Sequence, residues 1–99
     1  MIRKPKRSNP RDNIAYREMC RKIWKRDKGR CQMPDCKSRG AQVHHIRRWT
    51  DNGHGRYNTL NTILLCKDCH TKVTGKEDIY APLLLRIAAQ NESKQNGNN

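Results

Sequence analysis

Ninety-nine residues, with 22 Lys plus Arg against 9 Asp plus Glu, give a formal charge of +13 and room for one small domain. No Phe, two Trp and three Tyr leave too little large apolar surface for burial alone to hold such a chain together, so a staple is expected. The charge says nothing of fold, but it points to a polyanion, nucleic acid before an anionic membrane, because the basic residues are not gathered on one amphipathic helix.

The first 12 residues are basic, carry two prolines and show no periodicity, which predicts a flexible arm. From residue 13 the pattern changes. Tyr16, Met19, Cys20, Ile23 and Trp24 follow the i, i+3, i+4 spacing of one helix face, with Cys20 as a small core residue. Gly29 is the expected stop, after Lys25, Arg26 and Lys28 at the end where cations are favoured. A turn holding Cys31, Pro34 and Cys36 comes next, then a short strand at 43–46 and a long polar loop with His54. The apolar run 63–65 predicts a second strand, and a helix opens near Lys67 or Asp68 and ends or kinks at Gly75. Residues 79–90 read as a last helix with Pro82 in its first turn, where proline is tolerated, and 91–99 as a disordered polar tail. The division is therefore arm 1–12, domain 13–90 and tail 91–99.

No apolar run approaches a transmembrane length, and the basic N-terminus has no apolar segment behind it. A cytoplasmic setting without membrane is expected, where cysteines serve more often as metal ligands than as disulfides. Cys31 and Cys36, then Cys66 and Cys69, form two pairs 30 residues apart. Tetrahedral zinc takes four soft ligands, and each closely spaced pair can wrap one side of the ion. Four thiolates leave no open position, so this Zn²⁺ is expected to be structural, its binding contributing to folding.

Four polar residues remain outside that set: His44, His45, Asn61 and His70. On a strand, the adjacent side chains of His44 and His45 leave opposite faces, which predicts two residues with two different tasks. The ordered segments "RCQMPDC", "VHHI", "LNTILLC" and "CKDCH" resemble the HNH endonucleases, a branch of the His-Me finger (ββα-metal) nucleases, over about residues 16–74. The resemblance implies an α+β fold, a small zinc-stapled, treble-clef-like ββα-metal finger with flanking helices. It implies that His44 and His70 hold a catalytic divalent cation, that His45 is the general base, and that Asn61 positions His45 or its local backbone. Two imidazoles would accept Mn²⁺ or Ni²⁺ as well as Mg²⁺.

In phosphodiester hydrolysis the attacking water and the leaving oxygen lie on opposite sides of phosphorus, so a base and a cation are needed in different places. A histidine pair pointing two ways meets that need. Neutral imidazole is also available near physiological pH. Arg47, Arg48, Arg56 and Lys72 are the expected phosphate contacts, with the arm adding more. The resemblance further implies DNA as substrate with weak sequence preference, and a bacteriophage setting in the host cytoplasm, in some cases beside packaging proteins. A monomer or weak dimer is expected. The competing reading is a non-catalytic zinc-finger DNA- or RNA-binding module, which accounts for cysteines and charge but gives no reason for the histidines and Asn61.

Overall fold

The structure, a computed structural model, describes residues 14–47 and 57–97. The basic arm, Arg48, Arg56 and His54 lie outside the described residues. The elements follow in the order α1 (Ile14–Arg26), β1 (Gln42–His45), a 3-10 turn (Thr59–Asn61), β2 (Thr62–Leu65), α2 (Lys67–Val73) and α3 (Glu77–Gly97).

Helix α1 stops by a Schellman closure. The Gly29 amide donates to the Trp24 carbonyl at 3.0 Å and the Lys28 amide to that of Lys25 at 3.2 Å. Lys28 and Gly29 both adopt positive φ, 58° and 69°, so the stop expected at Gly29 begins one residue earlier. The buried face of α1 is Met19, Ile23 and Arg26. Trp24 remains 38 % exposed. Cys20, expected in the core, is half-buried and outside both apolar clusters. Arg26, one of the cations expected at the helix end, is buried together with Asp27.

The two strands pair antiparallel, His44 opposite Ile63 and His45 opposite Thr62. All four residues of β2 are buried, because both faces of the hairpin are covered. Ile63 and Leu65 join Ile46, Val73, Ala81, Leu84 and Ala88 in one cluster, with Cys31, Met33 and Cys66 at its border. Leu64 points the other way, to Met19 and Ile23 of α1, with Tyr16 and Val43 packed alongside. The alternation of a pleated strand thus divides the domain: α2, α3 and the cysteines lie on one side and α1 on the other. Gly40 makes the close approach possible, since a Cβ there would overlap the buried Leu64 side chain.

Helix α3 differs from its expected limits at both ends. It begins at Glu77, so Pro82 falls in the second turn and not the first. Glu77 and Asp78 favour this earlier start, as acids in the first turn complement the helix dipole. It also continues past residue 90 to Gly97, where the sequence reading places a disordered tail. The physical reason is that Asn91 and Glu92 are anchored. Asn91 Nδ2 donates to Asp27 Oδ1 at 3.0 Å and to Gln32 Oε1 at 2.9 Å. Glu92 accepts from Arg26 at 3.1 Å.

Candidate metal and catalytic sites

The first cysteine pair sits in a small turn closed by backbone bonds. The Cys31 amide donates to the Ser38 carbonyl at 3.0 Å, and the Cys36 amide to the Met33 carbonyl at 3.1 Å. The second pair opens α2. Cys66 is its N-cap, and its sulfur accepts from the Cys69 amide at 3.4 Å. The four Sγ atoms all lie within 4.8 Å of one another. Cys36 and Cys66 are 3.8 Å apart, matching the edge of about 3.8 Å that a tetrahedron with zinc–sulfur bonds near 2.3 Å requires. The Ser38 amide and hydroxyl pull the Cys36 thiol down to about 7. Burial pushes the Cys31 thiol up. Burial and then its sulfur neighbours push that of Cys69 up. Four sulfurs this close repel as thiolates unless a cation lies between them, so the cluster can hold a structural metal such as zinc.

β1 sends its two histidines apart. His44, 5 % exposed, faces the α2 side, where its ring lies 5.3 Å from that of His70 with the planes at 79°. Burial, and then the nearby His70 and His45 charges, lower the His44 pKa to about 4, with Glu77 opposing. The imidazole is therefore neutral at neutral pH, as a metal ligand must be. Its Nε2 is buried and has no hydrogen-bond partner among the described residues. A buried, unpaired imidazole nitrogen is costly, and coordination to a cation is one way to satisfy it. His70 reaches this face from the second turn of α2, whose amide donates to the Cys66 carbonyl at 2.9 Å. Thr74, one turn on, spends its hydroxyl on the His70 carbonyl at 2.6 Å.

His45 faces α1. Its ring stacks on Tyr16, centroids 6.2 Å apart and planes at 25°. Its backbone is held through a neighbour: Asn61 Oδ1 accepts from the Arg47 amide at 3.0 Å, and Asn61 Nδ2 donates to the Arg47 carbonyl at 3.0 Å. The Ile46 amide donates to the Asn61 carbonyl at 2.8 Å. Asn61 thus closes the exit of β1 with three hydrogen bonds.

The 3-10 turn that carries Asn61 is gripped in turn by Arg26. All five guanidinium N–H groups are used. Two go to the Asp27 carboxylate, at 2.8 and 3.1 Å. One goes to Glu92 at 3.1 Å. The last two go to the carbonyls of Thr59 and Thr62, each at 2.8 Å, which bracket Asn61. Asp27 completes the network by accepting from the Leu64 amide at 3.0 Å. Neither this network nor the contact of Tyr16 with His45 was evident from the sequence, where Tyr16 is only one residue of a helix face. The only trace of the network is a single acid inside the basic run "KRDKGR".

Of the expected phosphate contacts, Arg47 and Lys72 are exposed. Arg47 borders an open groove of ≈ 880 Å³ whose other wall is residues 74–79, between α2 and α3. No described helix is long and apolar enough to cross a membrane. Among known proteins, the family model described as HNH endonuclease matches residues 29–76. No curated protein and no solved structure matches the chain.

Proposed function

We propose, from the match of the HNH endonuclease family model to residues 29–76, that this chain is a metal-dependent endonuclease that hydrolyses DNA phosphodiester bonds. The observation that carries the reading is the division of the histidine pair: His44 turns to His70 with a buried, unpaired Nε2, while His45 turns away toward Tyr16.

His44 and His70 are the ligands for a divalent cation, Mg²⁺, Mn²⁺ or Ni²⁺. When bound, it supplies positive charge that stabilises the phosphate and the departing oxygen. His45 takes a proton from a water as that water attacks phosphorus in line, while the P–O bond on the opposite side breaks. Asn61 keeps β1 from fraying at Arg47, so the His45 backbone is fixed when the proton moves. Cys31, Cys36, Cys66 and Cys69 hold zinc and take no part in the chemistry. Arg47 and Lys72, joined by Arg48 and Arg56, bind substrate phosphates. Phosphate contacts carry no sequence information by themselves, so the proposed sequence preference is weak. The proposed setting is the cytoplasm, that of the host cell if the chain is phage-encoded.

The test is cleavage of supercoiled plasmid in EDTA, Mg²⁺, Mn²⁺ or Ni²⁺ by wild type and His45→Ala, each assayed for bound zinc. Nicking that needs the divalent ion and disappears in the variant at unchanged zinc content supports the reading. Plasmid retarded but intact under every metal favours the non-catalytic nucleic-acid-binding module.

A further inference from the structure

Helix α1 lies outside the matched segment 29–76, yet its third residue is in ring contact with the proposed base. We propose that Tyr16 is a positioning residue for His45, and that α1 is therefore part of the active site. The inference rests on the reading of His45 as the base.

An imidazole on a strand still turns about two side-chain bonds, and a base that turns spends part of its time aimed away from the water. The Asn61 side chain holds the backbone beyond His45 through Arg47. The near-parallel stack on Tyr16, at 6.2 Å and 25°, restrains the ring plane itself. The distance falls within the range of favourable offset aromatic pairs.

Such a stack positions only if its own support is held in place. Tyr16 packs against the cluster of Met19, Ile23 and Leu64. The far end of α1 is pinned through Arg26 and Asp27 to the 3-10 turn, β2 and α3. The turn pinned there is the one that carries Asn61. Side-chain and backbone restraints on His45 thus share one foundation.

The experiment compares Tyr16→Phe and Tyr16→Leu with wild type and His45→Ala, each zinc-loaded. Leucine keeps the apolar contact with Met19, Ile23 and Leu64 while removing the stack. Phenylalanine keeps both ring and packing. Steady-state cleavage of a duplex with Mn²⁺ is read together with the proton NMR shifts of the His45 ring without divalent ion. Tyr16→Leu should lower kcat about 3- to 10-fold with KM little changed, and move the His45 ring signals downfield as the ring current is lost. Tyr16→Phe should restore both. Unchanged kcat and unchanged His45 signals in Tyr16→Leu overturn the proposal while leaving the nuclease reading intact, provided His45→Ala is inactive. A kcat loss that phenylalanine does not restore also overturns it, because the hydroxyl and not the stack would then matter. Wild type inactive with every metal removes both the proposal and the reading on which it rests.

Discussion

The two faces of β1 are built by different means. On the His44 side, structure comes from ligand spacing: two cysteine pairs, a helix capped by Cys66, and His70 one residue beyond Cys69. On the His45 side it comes from long-range polar contacts, with Arg26 and Asp27 reaching residues as far along the chain as Asn91 and Glu92. One face is stapled at a point that a metal can supply. The other is held by a buried ion pair whose every donor is used. A small, charge-rich chain with little apolar surface needs both, since neither cluster of buried apolar residues is large.

Breaking the staple should have the largest effect. Cys66→Ser removes one of the four sulfurs proposed to hold zinc while keeping an N-cap for α2, since serine caps well, so it isolates the staple. Structural zinc contributes on the order of 10 kcal/mol in small zinc modules. The variant should therefore be unfolded by circular dichroism, with no stoichiometric zinc. A folded, zinc-free Cys66→Ser protein would mean that the apolar clusters suffice.

The ion pair comes next. Asp27→Leu leaves the Arg26 guanidinium buried without its principal partner, which costs about 3–5 kcal/mol. It also leaves the Leu64 amide unpaired. Zinc should still bind, because no cysteine ligand touches the network, so a destabilised but zinc-loaded protein is the expected result of denaturant titration. Equal stability would show that the network is ornamental to the fold.

A smaller effect is a pH dependence set by His44. Burial lowers the folded His44 pKa from 6.5 to about 4, so between those values the unfolded chain binds a proton that the folded chain refuses. The stability gained by burying neutral His44 is complete above the ordinary value and is lost as pH falls through this window. From pH 7 to pH 5 wild type should lose about 2 kcal/mol more than His44→Gln. Unfolding curves at fixed zinc check this, and parallel losses in the two proteins would contradict it. The smallest effect is at the surface: Lys72→Ala should weaken DNA binding evenly across sequences and reduce the salt-dependence slope by about 1.

Most of the His44 face was legible from sequence because its signals are short. Strand alternation, cysteine spacing and helix opening each span only a few residues, and β1, β2 and α2 lie where those signals put them. The His45 face was legible only in part. Tyr16 carries helix periodicity, but its ring partner is a residue on another element, which periodicity does not encode. Arg26 and Asp27 look like the solvated end of a basic helix, and only the carbonyls of Thr59 and Thr62 reveal that they are interior. Asn91 and Glu92 look like tail, because the Arg26, Asp27 and Gln32 side chains that anchor them lie 59 to 66 residues earlier in the chain.

Metal binding tests the proposed division of labour between His44 and His45 most directly. Mn²⁺ added to zinc-loaded protein broadens the NMR signals of residues near the ion. Broadening is expected at His70 in wild type and in His45→Ala, and none in His44→Ala, with cleavage lost in both variants. Loss of the Mn²⁺ effect in His45→Ala, or its persistence in His44→Ala, would contradict the assignment of the ion to one face and the base to the other.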